Sequence, residues 1–164
     1  MNDASAAGPR ADVRIATTAD AAVLTRLRTA LFEDLRMGTG AEGTLAFERA
    51  CEPLVARLLE QGNALAWLAE DAAGVPVATA TLLVYPRLPT PADLRSAEGY
   101  LLGVYTVPAW RRRGLARALL AAAVAEAHRR GLARIRLHAT EDGRPLYAAL
   151  GFGGKPSAME LRLD

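Results

Sequence analysis

The sequence predicts one mixed α+β (α/β) domain built around a partly antiparallel sheet, and three observations point to it. The apolar patterns along the 164 residues run strand–helix–helix–strand–strand–strand–helix–strand–helix–strand. Ala64–Glu70 and Val75–Tyr85 read as strands joined by Asp71-Ala72-Ala73-Gly74, a hairpin with a glycine in its turn. The strand ending at Val107, the helix after it and the strand from Arg134 form a βαβ unit. A right-handed crossover makes the two strands of such a unit parallel.

The elements follow in order. Residues 1–11 are small and polar and are expected to be a flexible tail before a single domain over 12–164. Asp12 to Thr17 reads as a short strand. Thr17-Thr18-Ala19-Asp20 fits a capping box, with Thr17 at the N-cap and Asp20 three residues on. In the helix it opens, Val23, Leu24, Leu27, Ala30, Leu31 and Leu35 share one face. The run from Met37 to Gly43 breaks it. A second helix is expected from Thr44 to Glu60, with Leu45, Leu54, Val55, Leu58 and Leu59 toward the core, ended by Gln61-Gly62-Asn63. After the hairpin, Pro86 to Ala97 carries three prolines and reads as a loop. Tyr100 to Val107 is a strand, and Leu115 to Arg130 a helix with Gly131 as its C-terminal stop. Arg134 to Thr140 is a strand, Leu146 to Leu150 a short helix, and Met159 to Leu163 alternates as a terminal strand.

Composition excludes some classes of function. The chain is 51% hydrophobic and 23% charged, ordinary for a globular domain. No apolar run is long enough to span a bilayer, and no apolar leader opens the chain, so no membrane partner is expected and the expected location is the cytoplasm. Cys51 is the only cysteine, which rules out an internal disulfide; its helical pattern suits packing better than nucleophilic chemistry. Lys155 is the only lysine. So lopsided a ratio makes arginine placement informative and arginine abundance uninformative.

The most telling placement is Val107-Pro108-Ala109-Trp110-Arg111-Arg112-Arg113-Gly114-Leu115-Ala116, a strand end, a basic glycine-containing turn and a helix start. The first turn of a helix holds unpaired N–H donors at the positive end of its dipole, a natural anion site. The motif patterns of a nucleotide P-loop and of a dinucleotide fold are absent. Three arginines without a basic helix or interleaved aromatics are a thin signal for nucleic acid, which is not an expected partner.

These residues resemble the signature of the GNAT superfamily of acyl-CoA-dependent N-acyltransferases, Q/R-x-x-G-x-G/A, here Arg111-Arg112-Arg113-Gly114-Leu115-Ala116. The block from Leu137 to Phe152, ending Leu146-Tyr147-Ala148-Ala149-Leu150-Gly151-Phe152, also resembles the family, and the element order matches over nearly the whole chain. The resemblance implies a GNAT-like fold with splayed parallel central strands, and acetyl-CoA as co-substrate with no metal. It also implies transfer of an acetyl group to a primary amine of a small molecule or peptide, and a homodimer as a plausible assembly. On this reading Val104, Tyr105, Thr106 and Val107 lie along the pantetheine arm, and backbone from Arg111, Arg112, Arg113, Gly114, Leu115, Ala116 and Arg117 holds the pyrophosphate. Thr140, Arg144 and Tyr147 complete the coenzyme set. Thr140 stands where many relatives have asparagine, and Gly103 where many carry a larger polar residue.

The resemblance makes Tyr147 the proton donor to the departing thiolate; a phenol and an alkyl thiol have similar acidity. Aromatic packing is the plainer role for the same residue. For a base, Glu98 (placed just before the central strand) and His138 are candidates, each also suited to a structural or surface role; His128 reads as surface. Arg134, Arg136, His138 and Thr140 fall on one side of their strand. The acceptor should be selected by residues 32–52, 86–97 and 152–158. Glu33, Asp34, Glu42 and Glu48 there suit a cationic amine or simply a solvated surface. A non-catalytic acyl-CoA-binding or sensing domain of the same fold is the alternative function.

Overall fold

The computed structural model describes residues 11–154 and 161–162. Among the described residues, five strands form one sheet in the order β1 (Asp12–Ile15), β2 (Ala64–Glu70), β3 (Pro76–Pro86), β4 (Ala97–Thr106) and β5 (Ile135–Arg136). The first four pair antiparallel and β4 pairs β5 parallel. Four α-helices flank the sheet: α1 (Ala21–Asp34), α2 (Gly40–Glu60), α3 (Leu115–Arg129) and α4 (Arg144–Ala149).

The sheet has two covered faces because its strands alternate between two cores. Leu65, Trp67, Ala80, Leu82 and Leu101 pack with Leu115, Leu119, Leu120, Ala123 and Ala127 of α3. Ala66, Leu68 and Tyr105 pack on the opposite face with Leu24 and Leu27 of α1. Leu119 and Leu120 are fully buried, so truncating either to alanine should cost about 2–5 kcal/mol. The capping box holds as read: the Thr17 N–H donates to Asp20 Oδ2 at 2.7 Å. Arg14 grips the same carboxylate at 2.7 Å and holds it down to about 2.

Several expectations are corrected. The second helix begins at Gly40, four residues early, because Gly40 takes a left-handed φ of 79° that turns the chain directly into the helix. Leu45 and Leu54 are exposed and α2 buries no residue fully; Val55 and Leu59 are the side chains it sets, partly buried, against the α1-side core. Leu35, just past the end of α1, is exposed too. The β3–β4 hairpin pairs out to Pro86↔Ala97, which shortens the expected loop and draws Glu98 into β4 opposite Tyr85. The strand expected over Arg134–Thr140 contracts to Ile135–Arg136: only Gly99↔Ile135 and Tyr100↔Arg136 are paired before β5 leaves β4. The short helix starts at Arg144 rather than Leu146. The tail over 1–10 lies outside the described residues. Of the terminal strand expected over 159–163, only 161 and 162 are described, and they carry no strand assignment.

Candidate functional site

The site is built on β4. Between Thr79↔Tyr105 and Thr81↔Leu102 the register slips, so Gly103 and Val104 together stand opposite Ala80. Gly103 has φ 62°, a conformation that glycine adopts without strain, and the pair is a bulge. A Cβ at Gly103 would sit 3.6 Å from Arg28 Nη1 and 3.9 Å from Thr81 Oγ1, so backbone conformation rather than crowding calls for glycine. Beyond Tyr100, β4 has no strand partner on its β5 side among the described residues. A wedge therefore opens between the two parallel strands, with an unpaired strand edge along it.

At the wide end of the wedge lies the basic turn. Pro108–Trp110 form a 3-10 turn, Arg112 and Gly114 take φ of 62° and 80°, and α3 starts at Leu115. The two left-handed residues turn the chain from the 3-10 turn into α3. The first α3 bond is from Ala118 N–H to Gly114 O. No bond from the N–H groups of Arg112 to Arg117 is formed among the described residues, and they crown the positive end of α3. The arginine side chains divide unequally. Arg111 Nε donates to Thr106 O at 2.9 Å, and its guanidinium pairs with Asp34. Arg113 donates to Ala109 O at 3.0 Å and lies 4.7 Å over the Trp110 ring. Arg112 and Arg117 are exposed.

The side chains expected along the donor arm point inward. Val104 packs on the α3 side and Tyr105 on the α1 side, while Val107 touches both cores. Burial raises the Tyr105 phenol, and the Asp34 charge adds to it. Leu115 is buried and Ala116 half-buried.

Tyr147 comes from α4 and packs beside the α3-side core, its ring 5.9 Å from Phe152. Burial raises its phenol above the ordinary value and keeps it protonated. Thr140 ties the start of α4: its hydroxyl accepts from Gly143 N–H at 3.2 Å, and its carbonyl from Arg144 N–H at 3.1 Å. Arg144 is exposed at the first turn of the helix.

Glu98 is buried within β4. It accepts from the Tyr85 hydroxyl at 2.8 Å and pairs with Arg134 at 3.0 Å and Arg136 at 3.3 Å. Arg87 approaches at 3.8 Å. His138 is exposed, and its Nδ1 shares a hydrogen bond with the Tyr100 hydroxyl. Exposure still alternates from Arg134 to Thr140, so the four residues expected on one side do share it. His128, on the last turn of α3, is exposed and edges a separate hollow between α3, Ile135 and Phe152. Tyr100 was missed in the sequence. The period of two from Glu98, set beside the same period in Arg134, Arg136 and His138, was the signal that could have found it. An open groove of about 780 Å³ lies between the end of α1 and the start of α2, lined by Glu33, Arg36, Leu45 and Glu48 among others. It falls within the segment expected to select the acceptor. Asp34 there is engaged by Arg111, and Glu48 accepts from Thr29 Oγ1 at 3.1 Å. No helix among the described residues is long and apolar enough to cross a membrane.

Comparison with known proteins agrees with this architecture. The sequence model of the acetyltransferase (GNAT) family matches residues 28–152. No curated protein sequence matches significantly. Among solved structures, a GCN5-related N-acetyltransferase from Ralstonia eutropha is 31% identical, with a TM-score of 0.79 over 93% of this chain and 98% of that one. An acetyltransferase from Clostridium acetobutylicum, solved with acetyl-CoA, is 26% identical with a TM-score of 0.81, covering 93% of this chain and 96% of its own. An aminoglycoside acetyltransferase from an uncultured soil sample shares the fold at 21% identity, with a TM-score of 0.72 over 94% of this chain and 99% of that one.

Proposed function

The chain belongs to the acetyltransferase (GNAT) family, and we propose from that premise that it carries an acetyl group from acetyl-CoA to the primary amine of a small molecule or peptide. The observation that carries this reading is the junction of two unsatisfied surfaces. The unbonded N–H groups of Arg112 to Arg117 suit a pyrophosphate, and the unpaired β4 edge beside them suits the amides of a pantetheine arm. The relative from Clostridium acetobutylicum, solved with acetyl-CoA, supports the same donor. The arm adds to β4 as a short strand, and its thioester comes to rest between the bulge at Gly103 and the narrow end of the wedge.

The reaction needs no covalent enzyme intermediate. The neutral amine attacks the thioester carbonyl, the tetrahedral adduct collapses, and the C–S bond breaks. Tyr147 gives its phenolic proton to the leaving thiolate, and the proton shed by the acylated nitrogen restores the phenol; burial keeps the phenol protonated until sulfur charge develops. Holding both reactants in one wedge supplies much of the rate by itself. Thr140 acts indirectly, by fixing the turn that aims α4.

The test is thiol release. Acetyl-CoA with tyramine, spermidine, glucosamine and an alanine-terminated peptide should yield free CoA above the hydrolysis background for at least one amine. Calorimetric binding of acetyl-CoA without release on any of them would instead leave an acyl-CoA-sensing domain.

A further inference from the structure

The transfer proposed above requires that the acceptor amine lose a proton, and the inference drawn next rests on that reading. Tyr100 and His138 bridge β4 and β5 through the Tyr100 hydroxyl and His138 Nδ1, with ring centroids 5.8 Å apart. Tyr100 belongs to the last paired rung, Tyr100↔Arg136, and His138 lies two residues past that rung. The pair therefore stands at the fork from which the wedge opens. A coenzyme whose phosphates sit at residues 112–117, beyond the far end of β4, must run its arm back along β4 toward this fork. The thioester is the end that reaches it.

The two faces of the sheet then separate two proton transfers. Val104 and Tyr147 lie with the α3-side core. Tyr100 alternates with Leu101 and so projects to the other face, the one α1 covers in part. Sulfur meets Tyr147 on one side of the gap, and an amine arriving from the other side meets Tyr100. Glu98 shares that face but is closed off by Tyr85, Arg134 and Arg136. His138 is exposed and opens to water.

We propose that Tyr100 and His138 form the proton path from the acceptor amine to solvent. Tyr100 Oη takes a proton from the substrate ammonium while its own proton passes to His138 Nδ1. The amine becomes neutral and nucleophilic, Tyr100 is unchanged, and the imidazolium returns its proton to water. The transfer requires Nδ1 as acceptor, so the imidazole's own proton sits on Nε2 in this path. The charged and titratable groups that share this side of β4 are Glu98 with its partners Tyr85, Arg134 and Arg136, and Arg28 of α1, whose Nη1 lies 3.6 Å from where a Cβ at Gly103 would stand.

The experiment measures thiol release with acetyl-CoA and the four amines above, across pH, for wild type, Tyr100→Phe, His138→Ala and the double variant. Each single variant should lose about 10²-fold in kcat/KM, the range of a positioned proton-transfer group. The double variant should lose no more than the worse single one, because the residues act as one unit. His138→Ala should change the pH dependence of turnover, and added imidazole should restore its turnover but not that of Tyr100→Phe. Calorimetric affinity for acetyl-CoA should not change. His138 is exposed, so its variant tests the path even if Tyr100→Phe folds poorly. Active wild type with an unaffected His138→Ala variant overturns the path alone. Wild type that binds acetyl-CoA and releases no thiol on any amine overturns the transfer reading and the path with it.

Discussion

Arg111 and Asp34 are ion-paired across the molecule, the guanidinium of the basic turn meeting the carboxylate at the C-terminal end of α1. The same guanidinium reaches back to Thr106 O and lies 5.7 Å over the Tyr105 ring. Arg111 therefore fastens the turn to the sheet and to α1 instead of reaching outward to a phosphate. Both side chains are partly exposed, 47% and 39%, so the pair contributes at most about 1 kcal/mol. Arg111→Ala and Asp34→Asn should each lower Tm by no more than about 2–4 °C and leave acetyl-CoA affinity nearly unchanged in calorimetry. A large affinity loss for Arg111→Ala that Asp34→Asn does not share would show the arginine on the phosphate after all.

Gly114 should matter far more than Arg112 for coenzyme binding. Its φ of 80° costs any L residue about 1–2 kcal/mol, although a Cβ there would meet nothing within 4 Å. Gly114→Ala should therefore lose modest stability through its backbone alone. Gly114→Asp should add a negative charge where the pyrophosphate is proposed to lie and abolish measurable binding. Arg112→Ala keeps every N–H in place and should weaken binding by less than about 1.4 kcal/mol, tenfold. Comparable losses for Gly114→Asp and Arg112→Ala would move the recognition from backbone to side chain.

The parts of the fold legible in the sequence are those that a short period or a turn residue encodes. Ala64–Glu70 was read to the residue because its ends are marked by Gly62-Asn63 and by the Asp71–Gly74 turn. The helix expected over Leu115 to Arg130 ends one residue sooner, at Arg129, and was legible because Gly114 and Gly131, both at positive φ, bracket it. Legibility failed where a partner strand decides. Arg136 to Thr140 alternates like a strand, yet hydrogen bonding stops at Arg136 because β5 swings away from β4 there. The bulge was illegible for the same reason: a single glycine, Gly103, does not say that its strand slips by one residue against Ala80. Glu98 was expected just before the central strand rather than within it, because the prolines of the preceding segment hid how far the hairpin extends. Arg111, Arg112 and Arg113 are alike in sequence, and only the fold separates them.

Glu98 should behave as a structural anchor. Three guanidinium groups and a phenol converge on one buried carboxylate, and burial followed by the Glu98 bond raises the Tyr85 phenol. Glu98→Ala leaves Arg87 (side chain only 9% exposed) with fewer partners and should cost about 3 kcal/mol of stability, the range for breaking a buried pair. In chemical denaturation the midpoint should fall, while the pH profile of residual activity keeps its shape. A changed profile at unchanged stability would make Glu98 a base.

The bulge offers a separate test of how the donor is seated. Gly103→Ala must adopt φ 62° or flatten the strand, at a cost of about 1–2 kcal/mol. Room exists for the methyl beside Arg28 and Thr81, so the protein should fold. Flattening would restore regular register past Ala80 and shift residues 104–106 along the proposed donor arm. Turnover should then fall by more than the stability loss explains. Turnover that simply follows the folded fraction would separate the bulge from donor placement.

Tyr147→Phe should leave acetyl-CoA affinity intact and lower kcat by about 10²-fold or more, as expected for loss of a general acid. The sign of its pH dependence follows from burial, which raises the phenol above its ordinary value near 10. The acid form persists through neutral pH, so any activity limb owed to Tyr147 must lie above about pH 10. The same shift acts on stability. Burial favours the neutral phenol in the folded state, so its contribution is fully present below the unfolded value and is lost as pH rises through the folded one. Phenylalanine has no proton to lose. The variant should therefore gain on wild type in thermal melts above about pH 10, while staying slower at every pH. A variant that turns over at the wild-type rate would leave Tyr147 as packing against Phe152 and assign the sulfur's proton to water.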